Sequence, residues 1–107
     1  MISYDEFSKI ELRIGTVISV EQHPDADKLL VVKVDLGSEE RQLVAGLKEY
    51  YSPEELAGKK VVVVSNLEHA KLRGVESQGM ILAAEDKEGN VAVLTTDKKI
   101  ENGAEVL

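Results

Sequence analysis

The sequence contains no cysteine and no tryptophan, and aromatic residues make up only 4% of its 107 residues. Without cysteine the chain has no disulfide bonds, thiolate metal ligands or cysteine nucleophiles, which fits an intracellular protein. No apolar run approaches the ~20 residues that a membrane-spanning helix needs, and the N-terminal stretch MISYDEFSKIE lacks the apolar core of a secretory signal. These absences predict a cytoplasmic protein without a membrane segment.

Charged and aliphatic residues dominate what is present. Hydrophobic residues make up 43% of the chain and charged residues 31%, a composition typical of globular proteins. This length buries enough apolar area for one core but not for two, so we predict a single domain over residues 1–107. The formal net charge of −7 argues against a general polyanion binder, because the field of the protein would repel phosphate. Residues 59–73 are the exception, with four cations and one glutamate.

Five segments have the alternation or the β-branched composition of strands. They cover residues 11–22, 28–36, 41–46, 59–65 and 80–85, and a short apolar piece follows at 91–94. Gly15 interrupts the first segment and predicts a bend there. Met80 begins the fifth segment and, from the pattern alone, is expected to lie in the core.

Two capping boxes predict two short helices. Ser3 with Glu6 begins a helix over residues 4–9, and Ser52 with Glu55 begins another between the third and fourth strands. Five strands with a helix in this position are typical of the OB barrel, and an SH3-like barrel is the alternative. We therefore predict an all-β fold: a five-stranded OB-fold barrel with a short helix between strands 3 and 4 and a short N-terminal helix.

Residues 23–29, HPDADKL, place one imidazole and two carboxylates within five positions. On an extended chain His23, Asp25 and Asp27 would share a face and converge on a divalent metal. The alternative is a turn fixed by Pro24, in which the carboxylates bond to nearby backbone N–H groups before the second strand begins. We favour the turn, and we predict neither a metal site nor a cofactor.

Residues 66–80, NLEHAKLRGVESQGM, abandon the apolar pattern directly after the fourth strand. Lys71 and Arg73 are alternate residues, which on an extended loop point the same way and can meet successive phosphates. Neutral hydrogen-bonding groups suited to sugar, phosphate oxygens or base edges come from Asn66, Ser77 and Gln78. The alternative is a solvated barrel loop whose glycines serve turns only.

Catalytic patterns are missing from the chain. The stretch GVESQG is not the nucleophile elbow G-x-S-x-G, and no glycine-rich phosphate loop is present. His23 and His69 are the only imidazoles. We therefore predict that the chain is not itself an enzyme.

Together, HPDADKL and NLEHAKLRGVESQGM resemble the two signatures of the tRNA-binding domain found at the C-terminus of methionyl-tRNA synthetases. The resemblance covers the whole chain and implies an OB fold, a homodimer, and binding of the tRNA shape without sequence specificity. It also implies an accessory role beside a methionyl-tRNA synthetase catalytic body, in the same chain or as a separate subunit. The family's polar signature falls on Asn66, Lys71, Arg73, Ser77, Gly79 and Met80. The predicted tRNA-binding side chains are Lys28, Lys33, Asn66, Lys71, Arg73, Ser77, Gln78 and Met80.

Two further expectations and two rival functions accompany this resemblance. His69 stands where the family usually has proline, which predicts a less rigid loop and a partly protonated imidazole near phosphate. The short N-terminal helix and the apolar C-terminal tail are the predicted dimer interface.

One rival is a peptide-binding export chaperone like CsaA, which shares the signatures and needs an exposed hydrophobic pocket near Met80. The other is a dimerisation module without RNA affinity.

Overall fold

The chain forms two very short helices and nine strands, which the computed structural model describes over all 107 residues. Both helices begin at the predicted capping boxes, where Ser3 and Ser52 accept hydrogen bonds from backbone N–H groups. The first helix ends at Phe7 and not at residue 9, because none of its residues is buried against the barrel. In chain order the elements are α1 (Tyr4–Phe7), β1 (Leu12–Gln22), β2 (Leu30–Asp35), β3 (Glu40–Ala45), α2 (Pro53–Leu56), β4 (Lys60–Val64), β5 (Ala70–Leu72), β6 (Val75–Ser77), β7 (Met80–Ile81), β8 (Ala83–Glu85) and β9 (Val91–Val93).

Five of the strands form one antiparallel sheet in the order β3–β2–β1–β4–β7. β1 lies at its centre, and its partner changes from β4 to β2 at Thr16. Gly15 lies beside this change, where an added Cβ would meet the Leu36 side chain at 2.9 Å and the Asp35 carbonyl at 3.0 Å. The glycine therefore permits a close approach of the end of β2. The shift in register between β1 and β2 lies three residues later, at Ile18.

The sheet curls until its two edge strands meet. Gln78, between β6 and β7, donates its backbone N–H to the Gln42 carbonyl of β3 at 2.8 Å, and its side-chain oxygen accepts the Gln42 N–H at 3.1 Å. The Ser77 hydroxyl accepts the Val44 N–H at 2.9 Å. These bonds nearly close a five-stranded barrel of the OB type. The predicted all-β fold, with one short helix between strands 3 and 4 and another at the N-terminus, is confirmed.

Two stretches differ from the predicted strand boundaries. The predicted fifth strand divides at Leu82, because β7 pairs with β4 whereas β8 leaves the main sheet to pair with β9. The segment 66–80 is not a simple loop, since β5 and β6 form a hairpin within it. The second strand begins at Leu30 and not at Lys28, which belongs to the preceding turn.

The core is aliphatic, as the scarcity of aromatics requires. Eleven buried residues form one cluster, to which β2 contributes Leu30, Val32 and Val34 from the inward side of its pleat. Met80 is not among them: its side chain is 45% exposed, so the expectation of a core position was wrong. Ile81 takes the inward place on β7, and the strand pleat turns its neighbour outward.

The C-terminal tail is bound along the free edge of β1. Ile14 donates its N–H to the Ala104 carbonyl at 2.9 Å and accepts the Gly103 N–H at 2.7 Å, and Val106 donates to Leu12 at 2.9 Å. The tail thus forms backbone hydrogen bonds with the N-terminal half of β1, on the side where β2 does not pair with it. Separately, none of the helices has the length and hydropathy needed to cross a bilayer.

Candidate nucleic-acid interface

The β5–β6 hairpin projects the two cations of the segment 66–80. Three cross-strand pairs lead to a two-residue turn at Arg73 and Gly74. Both turn residues have positive φ, 54° and 89°, which is the pattern of the type I′ turn that suits hairpin twist. Lys71 lies in β5 and Arg73 in the turn, so the premise of two alternate residues on an extended chain was wrong. The hairpin still keeps both cations within two residues of its tip.

Ser77 builds the base of the hairpin. Its side chain is only 4% exposed, and its hydroxyl accepts the Val44 N–H and donates to the Gly79 carbonyl, each at 2.9 Å. Gly79 has φ of 138°, and an added Cβ would lie 2.6 Å from the Val64 carbonyl. Both polar functions of Ser77 are therefore used inside the protein, where they hold the end of β6 against β3.

Gln78 and Gln42 form a reciprocal pair beside Ser77. Gln78 engages both backbone polar groups of Gln42, as described above, and the Gln42 side-chain amide donates to the Glu76 carbonyl at 2.8 Å. The Gln78 amide reaches the Glu76 carboxylate at 3.4 Å. Because the edge strand β3 lacks a regular neighbour here, these side chains replace the missing ladder and fix the hairpin to the barrel.

Asn66 fixes the other end of the segment. Its side-chain oxygen accepts the Glu11 N–H at 2.8 Å, and its amide donates to the Lys9 carbonyl at 2.7 Å. These bonds tie the end of β4 to the link between α1 and β1. The three neutral residues that the sequence predicted as ligand contacts therefore form internal bonds that shape the segment.

Arg41 is a positioning residue that sequence reasoning missed. From β3, its guanidinium donates to the carbonyls of Ser65 and Gln78, which stand at the two ends of the segment, and pairs with Glu39 at 2.7 Å. A hydrogen bond and the charge of Arg41 lower the pKa of Glu39 below its usual value. Nothing in the sequence distinguishes Arg41 from a solvated strand cation, since its partners are backbone groups distant along the chain.

Glu11 belongs to the same rim. Arg13 donates to its carboxylate at 2.6 Å and the Ser65 hydroxyl at 2.8 Å. These hydrogen bonds, with that of Arg13 the larger influence, lower the pKa of Glu11. The lowered pKa favours the ionised carboxylate, which accepts hydrogen bonds from Arg13 and Ser65 beside the start of the segment.

His23 of HPDADKL connects the first motif to the hairpin. The imidazole is 5% exposed; its Nδ1 accepts the Asp25 N–H at 3.0 Å, and its Nε2 lies 2.8 Å from the Leu72 carbonyl. Because Nδ1 accepts, Nε2 carries the hydrogen and donates to Leu72. The predicted turn at Pro24 is present, but the imidazole makes the local backbone bond that was expected of the carboxylates.

The two sequence motifs meet at a shallow depression of about 340 Å³. Residues 25–29 line one side and Arg73 lines the other, with its guanidinium 3.4 Å from the Asp25 carbonyl. Nowhere in the chain do three His, Asp or Glu side chains converge as metal ligands. With both ring nitrogens of His23 in use, the turn accounts for this motif.

The predicted cations differ in their partners. Lys33, Lys71 and Arg73 have no carboxylate oxygen within 4.0 Å, whereas Lys28 lies 3.8 Å from Glu49 and stays largely exposed. Lys33 stands on the outer face of β2 opposite Gln42, whose side chain reaches the hairpin. Lys33 therefore lies across Gln42 from Glu76, the hairpin residue that pairs with Lys71.

Met80 lies apart from these cations in an apolar groove of about 440 Å³. The groove runs between the segment 44–50 and the strands β7 to β9, and ten of its twelve lining residues are hydrophobic. Tyr50 and Leu47 form one wall and Met80 and Val91 contribute to the other. The site predicted as one set thus divides into a cationic hairpin and an apolar groove.

Known proteins with related sequences show the family to which the chain belongs. Residues 12–105 match the family described as "Putative tRNA binding domain". The chain is 64% identical to the methionine–tRNA ligase of Pyrococcus furiosus over 98% of its own length, and it spans only 14% of that ligase.

Two solved structures have the same fold along the whole chain. A methionyl-tRNA-synthetase-related protein from Pyrococcus horikoshii has a TM-score of 0.94 and 39% identity, covering 100% of this chain and 98% of that one. The chaperone CsaA of Bacillus anthracis str. Ames has a TM-score of 0.89 and 28% identity, covering 100% and 99%. The match over residues 12–105 and the similarity to the C-terminal region of methionyl-tRNA synthetases show that the chain belongs to the tRNA-binding domain family.

Proposed function

We propose that residues 1–107 form a single, non-catalytic OB domain that binds the folded shape of tRNA without reading its sequence. The observation that carries this proposal is the hairpin tip, where Lys71 and Arg73 lack carboxylate partners on a loop fixed at both ends. Because the backbone that carries these cations is already fixed, the loop itself loses little conformational freedom when the cations meet phosphates, and phosphate contacts carry no sequence information.

The predicted contact residues then divide into two groups. Lys28, Lys33, Lys71 and Arg73 are the proposed phosphate contacts, because their ammonium and guanidinium groups reach solvent. We assign Asn66, Ser77 and Gln78 to shaping the segment, since their polar groups already have internal partners. Met80 belongs to the apolar groove, and we leave it outside the phosphate contacts.

The domain acts, in this proposal, in the cytoplasm as an accessory to a methionyl-tRNA synthetase catalytic body, either in the same chain or as a separate subunit. The methionine–tRNA ligase matched above is far longer than this chain, which supports such an arrangement. Linking a weak tRNA binder to a catalytic body raises the effective tRNA concentration and lowers the apparent KM without any cofactor or new chemistry.

A homodimer is part of the same proposal. Ile2, Tyr4 and Leu107, on the N-terminal and C-terminal segments, are exposed apolar side chains that a second copy can cover. Two copies would present Lys71 and Arg73 twice to one tRNA, which compensates for the acidity of the rest of the chain.

Peptide binding, as in a CsaA-like export chaperone, is the second candidate function. The groove beside Met80 favours peptide binding, because a peptide-binding chaperone requires an exposed apolar pocket at this place. An unfolded polypeptide that binds tightly, and that tRNA does not displace, would favour this candidate over tRNA binding.

Fluorescence anisotropy of labelled tRNA tests the main proposal. The intact chain should bind tRNA in preference to an unstructured RNA of equal length, and Lys71→Ala with Arg73→Ala should weaken binding and flatten its dependence on salt. Lys98→Ala with Lys99→Ala is the matched control, since it removes two exposed cations from a segment outside the candidate site. Equal loss in both double variants would show that only total charge matters, and the hairpin assignment would be wrong.

A further inference from the structure

We propose that His23 positions the β5–β6 hairpin for RNA, although its own ring is too buried to touch a ligand. This inference rests on the proposed tRNA-binding function and explains what the first motif contributes to it. The ring donates through Nε2 to the Leu72 carbonyl at 2.8 Å, one residue before the hairpin turn. The motif at residues 23–29 thereby controls the position of cations that lie about fifty residues later.

The tip of the hairpin has few other attachments to the barrel. The bonds of Ser77 and Gln78 hold its base, at the opposite end from Arg73. Leu72 is 39% exposed, so apolar packing of its side chain adds little at the tip. An isolated hairpin of three residue pairs is only marginally stable in water, so its tip needs a bond to the body of the protein.

The orientation of the ring is itself fixed. The Asp25 N–H donates to Nδ1 at 3.0 Å, which leaves Nε2 as the donor and aims it at Leu72. The Arg73 guanidinium then reaches the Asp25 carbonyl only at 3.4 Å, a longer and more exposed contact. His23 is therefore the short, buried link between the turn and the hairpin, and Arg73 takes its place as a result.

Three substitutions of His23 separate this role from a purely local one. Gln extends an amide donor to the region of Nε2 and can bond to Leu72, whereas Asn places an acceptor near Nδ1 and can bond only to the Asp25 N–H. Ala removes both bonds. If the link to the hairpin matters, His23→Gln should bind tRNA nearly as well as the natural chain, and His23→Asn should be weaker by about 2- to 10-fold, like His23→Ala.

The opposite order, with His23→Asn close to the natural chain and His23→Gln impaired, would assign His23 to the local turn and overturn the proposal. The same substitutions are repeated in the Lys71→Ala, Arg73→Ala background. There the differences among the His23 variants should disappear, because the hairpin position matters only through its cations. A loss that persists in this background contradicts the positioning role.

Amide hydrogen exchange of residues 70–77 without RNA keeps this test separate from the proposed function. His23→Asn should exchange faster than His23→Gln at these amides, while the amides of β2 keep similar protection in both. If the natural chain does not bind tRNA, the proposed function fails, and the exchange order still decides whether His23 fixes the hairpin. Identical exchange across residues 70–77 in the two variants rejects the link.

Discussion

At the scale of single residues, Arg73 combines a charge proposed to contact phosphate with an unfavourable backbone conformation. It is the one non-glycine residue with positive φ, at 54°. For an ordinary L-residue this conformation costs roughly 1–2 kcal/mol, and Asn tolerates it better. A cation placed at this turn position therefore costs stability, which is typical of residues retained for function.

The change Arg73→Asn is expected to keep or raise stability while weakening tRNA binding. Asn suits the first central position of a type I′ turn, and its loss of charge should lower the salt slope of binding by about 1. Thermal unfolding and anisotropy at several salt concentrations measure the two effects. Arg73→Lys is the control, because it keeps the charge at a similar turn cost. An Asn variant that binds with the natural affinity and slope would remove Arg73 from the proposed contacts.

The orientation of Met80 could not be predicted from the sequence. Met80 and Ile81 are both apolar, so alternation does not indicate which of them faces inward. The pairing of Met80 with Val64 and the burial of Ile81 decide the question only in the folded barrel. In contrast, both capping boxes were correctly predicted, because each depends on residues three positions apart.

At the scale of elements, the segment 66–80 is a scaffolded hairpin whose polar residues mostly bond to the barrel. The sequence KLRGVES contains the alternation and two-residue turn of a hairpin, but its charges and an arginine at the turn conceal the pattern. Nor does the sequence show that Ser77 and Gln78 pair with β3, since those bonds join residues more than thirty positions apart. Local signals therefore predicted the strands, and long-range contacts determined the site.

Ser77→Ala tests whether this residue is scaffold or ligand contact. The substitution leaves the Val44 N–H buried without its acceptor, which should destabilise the fold by about 1–3 kcal/mol. Thermal unfolding should show a lower Tm, and tRNA affinity measured well below that temperature should fall less than in the Lys71 and Arg73 variants. Ser19→Ala on the exposed side of β1 is the control and should leave Tm nearly unchanged. Lost binding with an unchanged Tm would instead make Ser77 a direct contact.

At the scale of the whole molecule, the net charge of −7 opposes the approach of tRNA. This repulsion acts over distance and is screened beyond roughly 10 Å at 0.1 M salt, whereas cations in direct contact with phosphates still release counterions. In the proposed function, the hairpin therefore has to outweigh the acidic remainder of the surface through its direct contacts with phosphate. A small number of well-placed cations is sufficient if each copy of the chain contributes its own.

The salt slope of binding then reports how many hairpins engage one tRNA. If a homodimer presents Lys71 and Arg73 twice, the part of the log–log slope that Lys71→Ala with Arg73→Ala removes should be about −3 to −4, whereas one hairpin gives a shallow slope of about −2 for that part. Sedimentation at tens of micromolar establishes the oligomeric state independently. A monomer with the shallow slope would remove the dimer from the proposal. The affinity for tRNA would then depend on the linked catalytic body. A dimer with the shallow slope would show that the two hairpins cannot reach one tRNA together, so that the arrangement of the copies, and not their number, limits binding.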